Sequence, residues 1–284
     1  MLKGSDRAIG LLDSGVGGLT VAREIFKLMP EENIIYYGDT LHLPYGPKNL
    51  NLLKEYVEKI IQYLIEEKNV KAVIIACNTA TSAALDYAKK NFDIPIFGMI
   101  KSAALRAVEL SSDQKIAIIG TEGTVNSLSY QNEILKINSE AQLFAKACPG
   151  FVNLVEEGKF DGQQVQETAQ AYLLSLLEAD VDSLILGCTH FPYLTPVLSR
   201  IMGDDVRLIN PAYEMALEVK NTLTKMRLIK KSDNISNEHK FIVSDKNRIS
   251  EKFLEHGRKF LNLEELNFKE ENIFSKEYNW EESI

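Results

Sequence analysis

Residues 184–190 read Leu-Ile-Leu-Gly-Cys-Thr-His. The apolar run 184–186 stops at Gly187, and a thiol, a hydroxyl and an imidazole follow at Cys188, Thr189 and His190. Such a run reads as a buried strand. Reactive groups just past a buried strand stand where open α/β sheets receive ligands, outside the carboxyl ends. The same arrangement occurs once earlier. Residues 70–79 read Val-Lys-Ala-Val-Ile-Ile-Ala-Cys-Asn-Thr, with Val70 seven residues before Cys77 as Val181 is seven before Cys188. Two strand ends, each offering a cysteine and a threonine, predict a site with two matched halves.

Outward from these strands the chain alternates strand and helix. Residues 9–12 form a short apolar strand that runs into Asp13-Ser14-Gly15-Val16-Gly17-Gly18, with a helix expected over 19–28. The glycines do not make a dinucleotide fingerprint, because Thr20 stands where the third glycine is needed, and Gly-Lys-Ser/Thr of a P-loop is missing. A turn whose backbone N–H groups approach a small anion at a helix N-terminus fits better; a plain tight turn is the alternative. Residues 34–37 read as a strand, Pro44-Tyr45-Gly46-Pro47 as a turn, and Leu50, Leu53, Val57, Ile60, Ile61 and Leu64 as one face of a helix. An alanine-rich helix is expected over 81–90 and an edge strand over 94–97. The second half repeats this order, with strands over 115–120, 143–147 and 206–209 and a helix over 166–177. Asp13 to Cys77 spans 64 residues and Thr121 to Cys188 spans 67. The pattern predicts an α/β protein of two similar, pseudo-symmetric domains, each a parallel sheet flanked by helices, with the active site in the cleft between them. The division expected is 1–97 plus 210–284 for the first domain and 98–209 for the second. Helices over 212–227 and 249–261 and a strand over 241–244 return the chain to the first domain. The acidic tail from Asn262, with the only tryptophan, Trp280, reads as a frayed or surface helix.

Composition narrows the function classes. Of 284 residues, 45% are hydrophobic and 25% charged, the balance of a soluble globular protein. A net charge of −8 and the lack of a basic cluster argue against a nucleic-acid partner. No apolar run is long enough for a membrane span, and the N-terminus lacks the apolar region of a signal peptide, so a cytoplasmic protein is expected. Cys77, Cys148 and Cys188 are too few and too scattered for a disulfide framework, and there is no CxxC.

Two facing thiols suggest stereoinversion: one takes a proton from one face of a carbon while the other returns a proton to the opposite face. The thiolate is the competent base, so each thiol needs help near neutral pH. Asp13 is placed to serve Cys77 and His190 to serve Cys188. Ser14, Asn78, Thr79, Thr121 and Thr189 are short hydrogen bonders suited to a small, highly charged ligand. Core filler is the competing reading of either cysteine alone. A metal at Cys188 and His190 lacks the further ligands zinc requires. Cys148, outside both matched positions, reads as structural. No lysine stands at a strand end beside these groups, so no pyridoxal cofactor or any other is expected.

The segments Asp13–Thr20, Pro44-Tyr45-Gly46, Ala76-Cys77-Asn78-Thr79-Ala80-Thr81 and Gly187-Cys188-Thr189-His190 resemble the glutamate racemase family, as do Cys148-Pro149 and Leu154-Val155-Glu156-Glu157-Gly158. The resemblance runs over residues 7–262. It implies a cofactor-independent racemase interconverting L- and D-glutamate and supplying D-glutamate for peptidoglycan. It implies that Cys77 acts on D-glutamate with Asp13, and Cys188 on L-glutamate with His190 and Glu156; Glu156 is assigned by the resemblance only. Substrate contacts would come from Asp13, Ser14, Tyr45, Gly46, Asn78, Thr79, Thr121, Thr189 and His190. A homodimer is expected. The chain departs from the family at Phe191-Pro192-Tyr193, where Tyr-Pro-Leu is usual, and in its acidic tail. It begins near its first strand, which implies that regulation through an N-terminal extension is lacking. Two rivals remain: an aspartate racemase, which commonly has Glu where His190 stands, and a non-catalytic amino-acid or thiol-redox binding protein, which needs no thiol on both halves.

Overall fold

Side chains on a strand alternate between faces, and that alternation sorts the first sheet of this protein. The computed structural model describes residues 4–231 and 238–275. Strand β1 (Ile9–Asp13) is followed by helix α1 (Leu19–Leu28), β2 (Ile34–Gly38), α2 (Leu50–Glu66), β3 (Ala72–Ile75), α3 (Asn78–Asn91) and β4 (Ile96–Gly98). Ile9, Leu11, Tyr36 and Ile74 point to a core shared with α1, while Leu12, Ile35, Tyr37, Val73 and Ile75 point to a second core under α2 and α3. The α2 stripe Leu53, Val57, Ile60, Ile61 and Leu64 is wholly buried there. Each such side chain contributes about 1.5–3 kcal/mol by leaving water.

Helix α4 (Ile100–Leu110) leads into β5 (Lys115–Gly120), α5 (Glu122–Asn126), α6 (Ser129–Ile137), β6 (Gln142–Ala147), α7 (Pro149–Glu156), α8 (Gln163–Glu178), β7 (Ser183–Gly187), α9 (Thr195–Met202) and β8 (Arg207–Ile209). Helix α10 (Pro211–Lys225), β9 (Lys240–Val243), α11 (Glu251–Leu261) and β10 (Phe268–Glu270) complete the described chain. The first sheet has the order β10-β9-β2-β1-β3-β4 and the second β6-β5-β7-β8. All pairings are parallel. Strands β2-β1-β3-β4 and β6-β5-β7-β8 therefore repeat one topology, as the matched spacings predict. The core shared with α1 continues through Ala117, Ile119, Leu184 and Leu186 of the second sheet. Ile116, Ile118 and Ile185 face the other way, onto α4 and α6.

This order creates two switch points, between β1 and β3 and between β5 and β7, where successive crossovers leave to opposite sides. Ligands of open parallel sheets bind outside the strand ends at such points. Asp13 ends β1, Cys77 lies two residues past β3, Thr121 follows β5 and Cys188 follows β7.

Two local expectations change. The alanine-rich helix begins at Asn78 rather than 81, because the Cys77 thiol caps it by accepting from the Ala80 amide at 3.5 Å. The tail is not helical over its first part: Phe268 is buried and Phe268–Glu270 pairs with β9 as an edge strand. Residues 276–284, with Trp280, lie outside the described residues.

Candidate active site

The four strand ends meet around one cavity of about 180 Å³. Cys77, Ser14, Asn78 and Thr79 line it from the first sheet, and Thr121, Cys188, Thr189 and His190 from the second. Tyr45 and Gly46, on the loop between β2 and α2, form its lip. Both thiols are buried and unpaired. Asp13 and Glu156 do not reach the cavity wall; each stands behind a group that does.

The amides of the glycine-rich turn after β1 are directed at an acceptor, but it belongs to the chain's own Asp13. Its Oδ2 accepts from the Gly15 amide at 3.2 Å and the Gly18 amide at 3.0 Å. Oδ1 faces Thr189 Oγ1 at 3.4 Å, across the cleft. Burial raises the Asp13 carboxyl above its ordinary range, against the pull of His190 and of the Gly18 and Gly15 amides. Burial, and next the Asp13 charge, push the Cys77 thiol up to about 12; the Ala80 amide and Ser14 hydroxyl work the other way. Cys77 is therefore a protonated thiol with the Asp13 carboxyl close by.

The other half is built differently. His190 Nδ1 lies 3.8 Å from Cys188 Sγ, and Nε2 lies 2.6 Å from Glu156 Oε1. Burial disfavours the imidazolium, but the hydrogen bonds to Cys188 and Glu156 outweigh it and raise His190 well above the ordinary imidazole range. A cation beside a sulfur is what a thiolate requires. Glu156, assigned from the resemblance only, ends α7; it is half-buried and its backbone carbonyl accepts from Ser250 Oγ of the α11 cap at 3.2 Å. Gly17 makes this packing possible, since a Cβ there would stand 2.5 Å from the His190 ring and 2.7 Å from Thr189 Oγ1.

Hydroxyls and amides join the two halves. Thr79 Oγ1 meets Thr121 Oγ1 at 2.8 Å and Thr124 Oγ1 at 3.1 Å. The Gly123 amide donates to Gly46 O at 2.8 Å, and Thr20 Oγ1 donates to Thr189 O at 2.9 Å. Sequence reasoning missed Asp39 and Tyr130. Asp39, fully buried, accepts from Tyr45 Oη at 2.7 Å and Ser244 Oγ at 2.9 Å and lies 2.8 Å from His42 Nδ1, so it anchors the lip. Its place right after β2 was the available signal. Tyr130 donates to Asn78 Oδ1 at 2.7 Å; nothing in its helical context marks it.

Cys148 is buried away from the cavity, its thiol facing Lys146 O at 3.6 Å, as a structural cysteine should be. Among the described residues no group of three or more His, Cys, Asp and Glu could hold a metal, and no helix is long and apolar enough to cross a membrane. Tyr193, the departure after His190, packs its ring between Phe160 and Phe260, at 5.3 Å and 4.4 Å, and does not line the cavity.

Comparison with known proteins agrees with this geometry. The Asp/Glu/Hydantoin racemase family model matches residues 21–218. A glutamate racemase of Geobacter metallireducens is 40% identical over 255 residues, 90% of this chain and 93% of that protein. The crystal structure of a Bacillus anthracis glutamate racemase isoform is 32% identical and superposes with a TM-score of 0.88 over 96% of this chain and 100% of that one. A Francisella tularensis glutamate racemase solved in complex with D-glutamate gives 0.85 at 31% identity, over 95% and 99% of the two chains. With two cysteines facing one cavity in two like halves, and relatives matched over nearly their whole length, this chain belongs to the Asp/Glu/hydantoin racemase family.

Proposed function

We propose that the protein racemises glutamate without a cofactor, through Cys77 and Cys188 acting on opposite faces of the α-carbon, and so supplies D-glutamate for peptidoglycan. The observation that carries this reading is the pair of thiols at corresponding strand ends on one cavity, each backed by its own proton-handling group. The glutamate assignment draws on the relatives named above and on the cavity's set of short polar donors.

In the L-to-D direction the Cys188 thiolate, beside the His190 cation, removes the α-proton. The resulting carbanion is protonated on its other face by the Cys77 thiol. Cys188 is then a thiol and Cys77 a thiolate. The site resets through solvent: the Cys188 thiol loses its proton to water, the neighbouring His190 cation favouring the thiolate, and the Cys77 thiolate regains one from water beside Asp13. D-glutamate enters by the reverse path. Thr79, Thr121, Thr189 and Asn78 hydrogen-bond the substrate carboxylates; Ser14, Tyr45 and Gly46 close the remaining wall. Donors at the α-carboxylate stabilise the charge that develops as the proton leaves.

We assign residues 1–97 plus 210–284 and 98–209 to the two domains, since the first set carries the six-stranded sheet, save Gly98 at the end of β4, and the second the four-stranded one. We also expect a homodimer, to be checked by sedimentation. The direct test of function is circular dichroism of L-glutamate incubated with dialysed protein in chelator. Decay of the signal to zero supports the reading. A stable signal, or decay only with L-aspartate, refutes it.

A further inference from the structure

Tyr130 belongs to the second half of the molecule but works on the first. It lies in the first turn of α6, is fully buried, and its hydroxyl donates to Oδ1 of Asn78 at 2.7 Å. Asn78 opens α3, directly beside Cys77, and lines the cavity. The ring of Tyr130 also backs onto the strand end that carries Cys188. A Cβ added to Gly187 would stand 3.2 Å from its Cε2. One side chain therefore touches both thiol-bearing strand ends.

A buried phenol must find an acceptor for its O–H, and among the described residues Asn78 Oδ1 is the acceptor it has. Burial, and then the nearby Cys188, keep the phenol protonated well above its usual range, so it remains a donor. An asparagine amide carries one oxygen and one NH₂ group. With the oxygen held by the phenol, the NH₂ group is the end left for the cavity. Two N–H donors suit a carboxylate; a carbonyl oxygen in the same place would repel one.

We propose that Tyr130 is a positioning residue for racemisation, fixing Asn78 with its amide N–H groups toward the substrate carboxylate. This rests on the glutamate racemase reading, because the ligand it serves is an amino-dicarboxylate. Tyr130→Phe removes only the hydroxyl, after which Asn78 can rotate and present either end.

The test measures D-glutamate affinity by calorimetry and racemisation alongside, in wild type, Tyr130→Phe, Asn78→Ala, the double variant and Asn78→Asp. A hydrogen bond to a charged ligand group is worth roughly tenfold to a hundredfold in affinity. Asn78→Ala should raise Kd and KM within that range and change kcat less; Tyr130→Phe should raise them too, by a smaller factor of about two to tenfold, since a freed amide still presents its N–H end part of the time. The double variant should be no weaker than Asn78→Ala alone, because the phenol acts only through the amide. Asn78→Asp keeps the phenol's acceptor but turns an oxygen to the cavity, so its Kd should exceed that of Asn78→Ala even if Tyr130→Phe does not fold. Losses that multiply in the double variant, or an Asn78→Asp variant that binds as well as Asn78→Ala, overturn the proposal. A wild type that binds D-glutamate without racemising it overturns the racemase reading alone; one that does not bind it overturns both.

Discussion

Nε2 of His190 lies 2.6 Å from Oε1 of Glu156, and that contact is one of the two that hold the imidazole protonated beside Cys188. Glu156→Gln keeps an acceptor oxygen in place while removing the charge. The His190 pKa should fall, and each unit lost lowers the imidazolium population about tenfold once the pH exceeds it. Nitrogen-15 NMR of the His190 ring should follow the fall, with glutamate turnover near neutral pH dropping in parallel. An unchanged ring titration would show that Cys188 alone sets the imidazole.

The two thiols should also differ in reactivity. Cys77, pushed up to about 12, is almost entirely thiol at neutral pH. Its alkylation by iodoacetamide should rise about tenfold per pH unit from 7 towards 10, since only the thiolate reacts. Cys188, next to the His190 cation, should label first at pH 7. Peptide mass spectrometry resolves the two sites. Cys77 labelling ahead of Cys188 at pH 7 contradicts the assigned asymmetry.

Gly17→Ala tests the packing between the turn and the imidazole. Its Cβ would come within 2.5 Å of the His190 ring, so the ring must move. Displacement of a catalytic group by about 1 Å costs on the order of 10²-fold in rate. Turnover should drop on that scale while the melting temperature changes little. Full activity would mean that the His190 position is not critical.

Much of this site was legible because parallel sheets announce their strand ends. Asp13, Cys77, Thr121 and Cys188 each follow an apolar run, and chemistry-bearing residues there face the cleft whatever the details of packing. That Asp13 stands close enough to Cys77 to raise its thiol was readable for the same reason, although its Oδ2 being taken by the turn amides was not. Glu156, Asp39 and Tyr130 were not legible as site groups. They act through tertiary contacts 34, 6 and 52 residues away in sequence, and no local periodicity encodes such distances. The start of α3 was misplaced because a thiol is not a customary helix cap. Strand β10 was missed because three residues give no alternation to read.

The tail contributes to stability through Glu271. Its carboxylate takes hydrogen bonds from Tyr63 and Lys68 and lies 2.8 Å from Lys269 Nζ. Burial opposes its charge, but Lys269, Tyr63 and Lys68 outweigh it and hold the carboxyl at about 2. A carboxyl depressed in the folded state stabilises the fold above its unfolded pKa, near 4.5, and loses that contribution as pH falls towards 2. Glu271→Gln should therefore lower the melting temperature at pH 7, with the gap to wild type narrowing below pH 4.5. A gap independent of pH would assign the effect to packing.

The central claim is that Cys77 and Cys188 each serve one face, and α-proton NMR in deuterated water tests it most directly. Starting from L-glutamate, the D-glutamate formed in the first few per cent of conversion should carry deuterium at the α-carbon, while the remaining L-glutamate stays largely unlabelled. Starting from D-glutamate, the pattern should exchange, and Cys77→Ala or Cys188→Ala should abolish racemisation both ways. Label entering the starting enantiomer as fast as it appears in product would mean that one base reaches both faces, and would contradict the account.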